Sequence, residues 1–201
     1  MNANFLRHLV LPEEEKQLSA AQDDEQLLDA LLKHRYLLMI DWKGEEEPNQ
    51  IGDFLKTRAA ALKPGFDLDT ESVYRSLQEE AAGFEPGDSV PFLLKSFQQL
   101  LKKEKLAIVQ LDRGDDSYYI SLTTDKNAKD LKKQSSEVWA WRPAGQGTGE
   151  VLYTVYCSCG SMNVWQVKRG EVITESNCDD CNREIFDKDG KSSLPVQKDY
   201  V

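Results

Sequence analysis

LAIVQLDRGDDSYYISLT, residues 106–123, decides how the chain is read. Two runs rich in β-branched and aromatic residues flank Arg113-Gly114-Asp115-Asp116, the signature of a β-hairpin. Before it, the longer segments run at helical period. Pro12 followed by Glu13, Glu14 and Glu15 opens a helix, with proline in the first turn and acids at the positive end of the dipole. Ser19 and Gln22 read as a capping box, and Leu27, Leu28, Leu31 and Leu32 as the stripe of the next helix. YLLMIDW, residues 36–42, reads as a short buried central strand that ends in the acidic loop GEEEPNQ. Ile51, Phe54, Leu55, Ala59 and Leu62 recur at helix spacing until Pro64-Gly65. Val73, Tyr74 and Leu77 mark another helix after Asp69-Thr70. Leu93, Leu94, Phe97, Leu100 and Leu101 mark a third after Ser89, with lysines at its negative end.

Beyond the hairpin, a helical stretch near residues 126–133 is followed by the strand SEVWAWR, in which Trp139 and Trp141 share one face and read as core. PAGQGTG, residues 143–149, is small, flexible and almost without apolar content, which makes it a linker. The expected fold class is α+β. Residues 1–143 form helices packed on a small mixed sheet, and residues 150–201 form a small β module. A chain of 201 residues accommodates one core plus such a module, with its first and last few residues frayed.

The net charge of −10 disfavours broad electrostatic binding to nucleic acid or an anionic membrane and suits a basic partner. No segment approaches the roughly 20 apolar residues of a membrane span. The opening MNANFLRHLVLPEEE lacks a signal-peptide layout, so the expected location is the cytoplasm. There thiols stay reduced, and clustered cysteines bind metals or serve redox chemistry.

The four cysteines of the chain fall at Cys157-x-Cys159 and, after eighteen residues, Cys178-x-x-Cys181. Two close pairs across such a gap are the signature of a zinc site. Zinc takes four ligands in a tetrahedron, and thiolate sulfur suits it. Each short spacing lets one turn present two sulfurs. YTVYC, MNVWQV and EVITESN are expected as three strands, with Arg169-Gly170 turning the chain between the last two. Lys168, Arg169 and Arg183 are expected to offset the charge of four thiolates. One structural Zn²⁺ held by Cys157, Cys159, Cys178 and Cys181 is the reading, with an iron–sulfur cluster as the alternative metal centre. A catalytic zinc would keep an open position and use His or carboxylate ligands, and His8 and His34 lie far away in sequence.

This arrangement resembles a zinc ribbon, although Cys-Ser-Cys-Gly is one residue shorter than the common C-x-x-C-G knuckle. The CxC…CxxC order and CDDCNREIFD, residues 178–187, are also similar to the zinc centre of the redox-switched heat-shock holdase. That resemblance implies that the same four cysteines release zinc on oxidation and expose a client-binding surface. LDRGDDSYY resembles the glycine-aspartate turns of the immunity and cell-wall-regulator domain superfamily, which implies inhibition of a toxin.

Asp112, Asp115 and Asp116 on the hairpin turn, and Trp165 beside Lys168 and Arg169, are candidate partner-binding residues. Acids on turns also serve the turn itself, by bonding its backbone. Asp41, Glu45, Glu46 and Glu47 read as a solvated acidic loop. No phosphate-binding glycine loop and no G-x-S-x-G nucleophile motif occurs. The expected function is that of a non-catalytic, zinc-containing protein-binding or regulatory module, with protein rather than nucleic acid as partner. The alternatives are a redox-sensing chaperone and an acidic inhibitor of a basic toxin.

Overall fold

The computed structural model describes residues 4–136, 138–145 and 149–200. The chain divides into two compact units, Met1–Gln146 and Gly147–Val201.

The first unit is α+β. Among its described residues it holds α1 (Leu6–Leu9), α2 (Pro12–Leu18), α3 (Asp24–Lys33), β1 (Leu38–Ile40), α4 (Gln50–Leu62), α5 (Thr70–Glu80), α6 (Ser89–Lys102), β2 (Leu106–Asp112), β3 (Tyr118–Thr124), α7 (Asp125–Lys133) and β4 (Ala140–Pro143). Local chemistry sets the helix starts. The Glu14 carboxylate accepts the Leu11 N–H at the head of α2. Asp23 caps α3 by accepting the Gln26 N–H, Asp69 caps α5 through Ser72, and Thr124 caps α7 through Asn127. The capping box expected at Ser19 and Gln22 does not form: Ser19 ends α2 and its hydroxyl donates back to the Lys16 carbonyl.

The sheet order is β1-β3-β2-β4, and every neighbouring pair is antiparallel. This corrects the mixed sheet expected from the sequence. β1 and β2 do run the same way, but the hairpin returns β3 between them, so no parallel pair is adjacent. β1 is an edge strand rather than a central one. It pairs only with β3, and Met39 on it stays exposed.

Side chains alternate across the strands, so each face of the sheet carries its own core. Leu106, Ile108, Ile120 and Leu122 pack with Leu55 of α4, Val73 of α5 and Phe97 of α6. Val109, Leu111 and Tyr119 pack with Leu9 of α1, Leu31 of α3 and Leu131 of α7 on the other face. Trp139 and Trp141 belong to this second core, with Phe5 against both rings. At the β1 side the two helical layers are tied by a buried ion pair. Arg58 of α4 is 4 % exposed and makes a two-pronged contact with Glu14 of α2.

The second unit pairs β5 (Glu150–Tyr156), β6 (Met162–Lys168) and β9 (Val196–Tyr200) in the order β6-β5-β9, with a separate hairpin of β7 (Ser176–Asn177) and β8 (Glu184–Phe186). EVITESN contributes only Ser176–Asn177 as strand, and those residues join β8 rather than β6. The third strand of the larger sheet is β9, so the chain end expected to fray is paired with β5 instead. Among the described residues, no helix is long and apolar enough to cross a membrane.

Candidate metal centre

The four cysteines sit on two turns. The first follows β5. The Cys157 N–H donates to the Ser161 carbonyl, and the Cys157 carbonyl accepts from Gly160 N–H, with Gly160 at φ +95°. The second follows β7. The Cys178 N–H donates to the Arg183 carbonyl, and the Cys178 carbonyl accepts from Asn182 N–H, with Asn182 at φ 55°. Each turn closes through a left-handed residue, a role that suits glycine and asparagine. The shorter C-x-C knuckle closes one residue earlier than the C-x-x-C knuckle, which is how the two different spacings present sulfur in the same way.

All four sulfurs lie within 4.8 Å of one another. Cys157 Sγ and Cys181 Sγ are 3.6 Å apart, and Cys159 Sγ and Cys178 Sγ are 3.7 Å apart. These are not disulfide distances, which are about 2.05 Å. A tetrahedron with metal–sulfur bonds of about 2.3 Å has edges of about 3.8 Å. The cluster therefore has the size of a four-thiolate metal site. Cys157 and Cys178 are buried, while Cys159 and Cys181 are exposed.

The surrounding donors favour thiolates. The backbone N–H of Cys181, aided by those of Asp180 and the Asn163 amide, brings the Cys178 thiol down to about 6 against the effect of burial. The N–H of Cys159 lowers Cys157 in the same way. The Ser161 N–H favours the Cys159 thiolate too, but the neighbouring sulfurs, Cys181 first, and burial push that thiol up to about 12. Four negative sulfurs this close repel one another, and a divalent cation among them removes the repulsion.

Asn163 holds the two knuckles together, a residue that sequence reasoning missed. It is buried on β6. Its Nδ2 donates to Cys178 Sγ at 3.6 Å and to the Ser161 carbonyl at 3.4 Å, and its Oδ1 accepts the Asp179 N–H at 3.1 Å. Arg183 Nη1 donates to Ser158 Oγ and makes a second bridge. Arg183 is thus placed to offset thiolate charge. Lys168 and Arg169 are not: they stand at the far end of β6, about 20 Å of strand from its cysteine end.

The other candidate residues are placed differently. Trp165 is half-buried and stacks edge-on against Phe186 at 5.2 Å, inside the small core with Val155, Ile173 and Ile185. Asp112 accepts the Gly114 N–H and pairs with Arg142 at 3.3 Å. Asp115 accepts the Ser117 N–H and the Tyr119 hydroxyl. Asp116 is half-buried on the same turn. Among the described residues, the cysteines are the one group of His, Cys, Asp or Glu close enough to hold a metal ion. In the acidic loop, Glu45 is not simply solvated. It accepts the Ile51 N–H at the start of α4 and the Tyr74 hydroxyl from α5.

Fold and site together define a helix-flanked antiparallel α+β unit joined to a four-cysteine β module. Residues 4–140 match the family described as Domain of unknown function (DUF6630), and the chain belongs to that family. The match lies within the first unit, stops at the first residue of β4 and ends before the cysteines. No curated protein and no solved structure matches the chain.

Proposed function

We propose that this is a non-catalytic zinc-containing protein whose C-terminal unit is a protein-binding or regulatory module, built around one structural Zn²⁺ on Cys157, Cys159, Cys178 and Cys181. One observation carries the reading: four sulfurs converge at tetrahedral separations, with backbone N–H groups turned toward them. An all-thiolate set selects zinc over hard cations such as Mg²⁺ or Ca²⁺. Four protein ligands leave no position for substrate or activated water, which favours a structural role. A reducing compartment such as the cytoplasm suits free thiolate ligands.

The support for a docking role is the sheet face turned away from the small core. Tyr156 on β5 and Met162 and Val164 on β6 are 62 %, 58 % and 49 % exposed, beside the first knuckle. Aromatic residues and methionine are enriched at protein interfaces. The net charge of −10 favours a basic protein surface over nucleic acid. Asp112 and Asp115 bond their own turn, and Asp112 also pairs with Arg142, so these two acids lend little to the toxin-inhibitor reading.

A redox-sensing role draws on a different feature. Cys159 and Cys181 are exposed, so an oxidant reaches one sulfur of each knuckle. Peroxide that ejects the metal and creates holdase activity would establish it. The docking role is tested by Met162→Glu combined with Val164→Glu. This variant should keep its metal yet lose the partner captured by the parent protein. Equal capture by both proteins would overturn the assignment of this face.

A further inference from the structure

Outside the metal centre, the first unit carries a cleft of about 450 Å³ along the free edge of β2. Its size falls in the range of small-molecule sites. β4 pairs with β2 only from Val109 to Asp112, so residues 106–108 have no strand on that side. Ala107, Ile108, Val109 and Ala128 give the cleft an apolar lining. Around it stand Lys102 of α6, Lys129 and Lys132 of α7, and Arg142 of β4, with Asp125 as the acid among them. Lys102, Lys129 and Lys132 make no ion pair among the described residues. Four cations against one acid stand out in a chain with a net charge of −10.

A second observation points the same way. Arg142 Nη1 is paired with Asp112, but Nε and Nη2 are buried without a partner. Its cross-strand neighbour Gln110 is fully buried, and both of its amide atoms lack partners. Trp141, which also lines the cleft, has a buried indole N–H without an acceptor. Buried donors left unpaired carry a cost that an acceptor recovers. Trp141 and Arg142 are successive residues of β4, and both line the cleft.

We propose that this cleft binds a small organic anion, with an apolar body against Ala107, Val109 and Ala128 and its anionic group toward Lys129 and Lys132. An added peptide strand is the other occupant that an open sheet edge invites. Gln98 of α6 argues against it. Its side-chain amide donates to the Leu106 carbonyl and accepts the Ile108 N–H at 2.7 Å, so the groups an incoming strand needs are already bonded.

The probe is 1-anilinonaphthalene-8-sulfonate, titrated into the full metal-loaded chain and followed by fluorescence. Saturable binding of one probe per chain is expected. Lys129→Glu combined with Lys132→Glu should weaken it about tenfold or more. The same charge change at exposed positions flanking β1, at the opposite edge of the sheet, Lys33→Glu with Lys43→Glu, should leave it within about twofold. The neutral analogue N-phenyl-1-naphthylamine should bind more weakly and ignore all four substitutions. Absence of saturable binding overturns the proposal. So does a sulfonate probe indifferent to Lys129→Glu with Lys132→Glu, because it then sits elsewhere, for example on the exposed face of β5 and β6.

Discussion

Replacing Asn163 by alanine should weaken the metal site without touching a ligand. The side chain makes three hydrogen bonds, and two cross to the second knuckle, at Cys178 Sγ and Asp179 N–H. The bond to a metal-bound thiolate is charge-assisted, and such bonds contribute about 1.5–3 kcal/mol. The Asp179 N–H loses its acceptor, but Asp179 is exposed, so water replaces much of that bond. The net loss is about 2–3 kcal/mol, or roughly 30- to 150-fold in metal affinity. Outer-shell partners of metal ligands commonly matter by 10- to 100-fold, which agrees. The assay is competition for Zn²⁺ between the full chain and a chromophoric chelator, wild type against Asn163→Ala. Asn163→Asp should be weaker again, since it replaces a donor with a negative charge beside the sulfur. Wild-type affinity in both variants would refute the idea that Asn163 holds the second knuckle in place.

Arg58→Met should cost the first unit about 3–5 kcal/mol, because it leaves the Glu14 carboxylate unpaired between α2 and α4; a urea titration gives the number, and a loss under 1 kcal/mol contradicts the buried-pair reading. Glu45 should give a pH signature. Burial raises its folded pKa above the unfolded value of about 4.3, so the folded form holds the proton more tightly and stability falls as pH rises through that window. Wild type should therefore lose ground to Glu45→Gln as pH rises above the unfolded value of about 4.3, read from unfolding midpoints of the first unit; a constant gap, or one moving the other way, disproves it. Gly52→Val should destabilise by about 1–3 kcal/mol. A Cβ there meets the Tyr74 ring at 2.7 Å, and the hydroxyl of that ring accepts the Gly52 N–H.

Much of this architecture is legible in the sequence, for reasons particular residues make plain. Helices announce themselves locally, through Pro12 and the acids after it, the cap at Asp69 and the stripe of α6. The β2–β3 hairpin is equally local. Strand neighbours are not. Nothing within YLLMIDW says whether one side or both sides of β1 are paired, and the partner that settles it, β3, lies about eighty residues on. EVITESN has the β-branched texture of a strand, yet the second sheet takes VQKDY, a polar stretch whose pairing with β5 only the fold reveals. The cysteine spacings predict the convergence of four sulfurs. Asn163 escapes because a polar residue in MNVWQV looks like any strand residue facing water. Met162 and Val164 leave a trace in hindsight: that strand is apolar on both phases, Met162 and Val164 on one and Trp165 and Val167 on the other, although only one face is covered.

The most direct test of the four-cysteine centre is metal content, measured on the 201-residue chain purified without added metal, with reactive thiols counted before and after chelation. The account predicts one zinc per chain, thiols that react slowly while it is bound, and four that react at once when it is removed, as the second unit unfolds and the first stays folded. Less than a tenth of an equivalent of any metal, with four reactive thiols and a folded second unit, would contradict it.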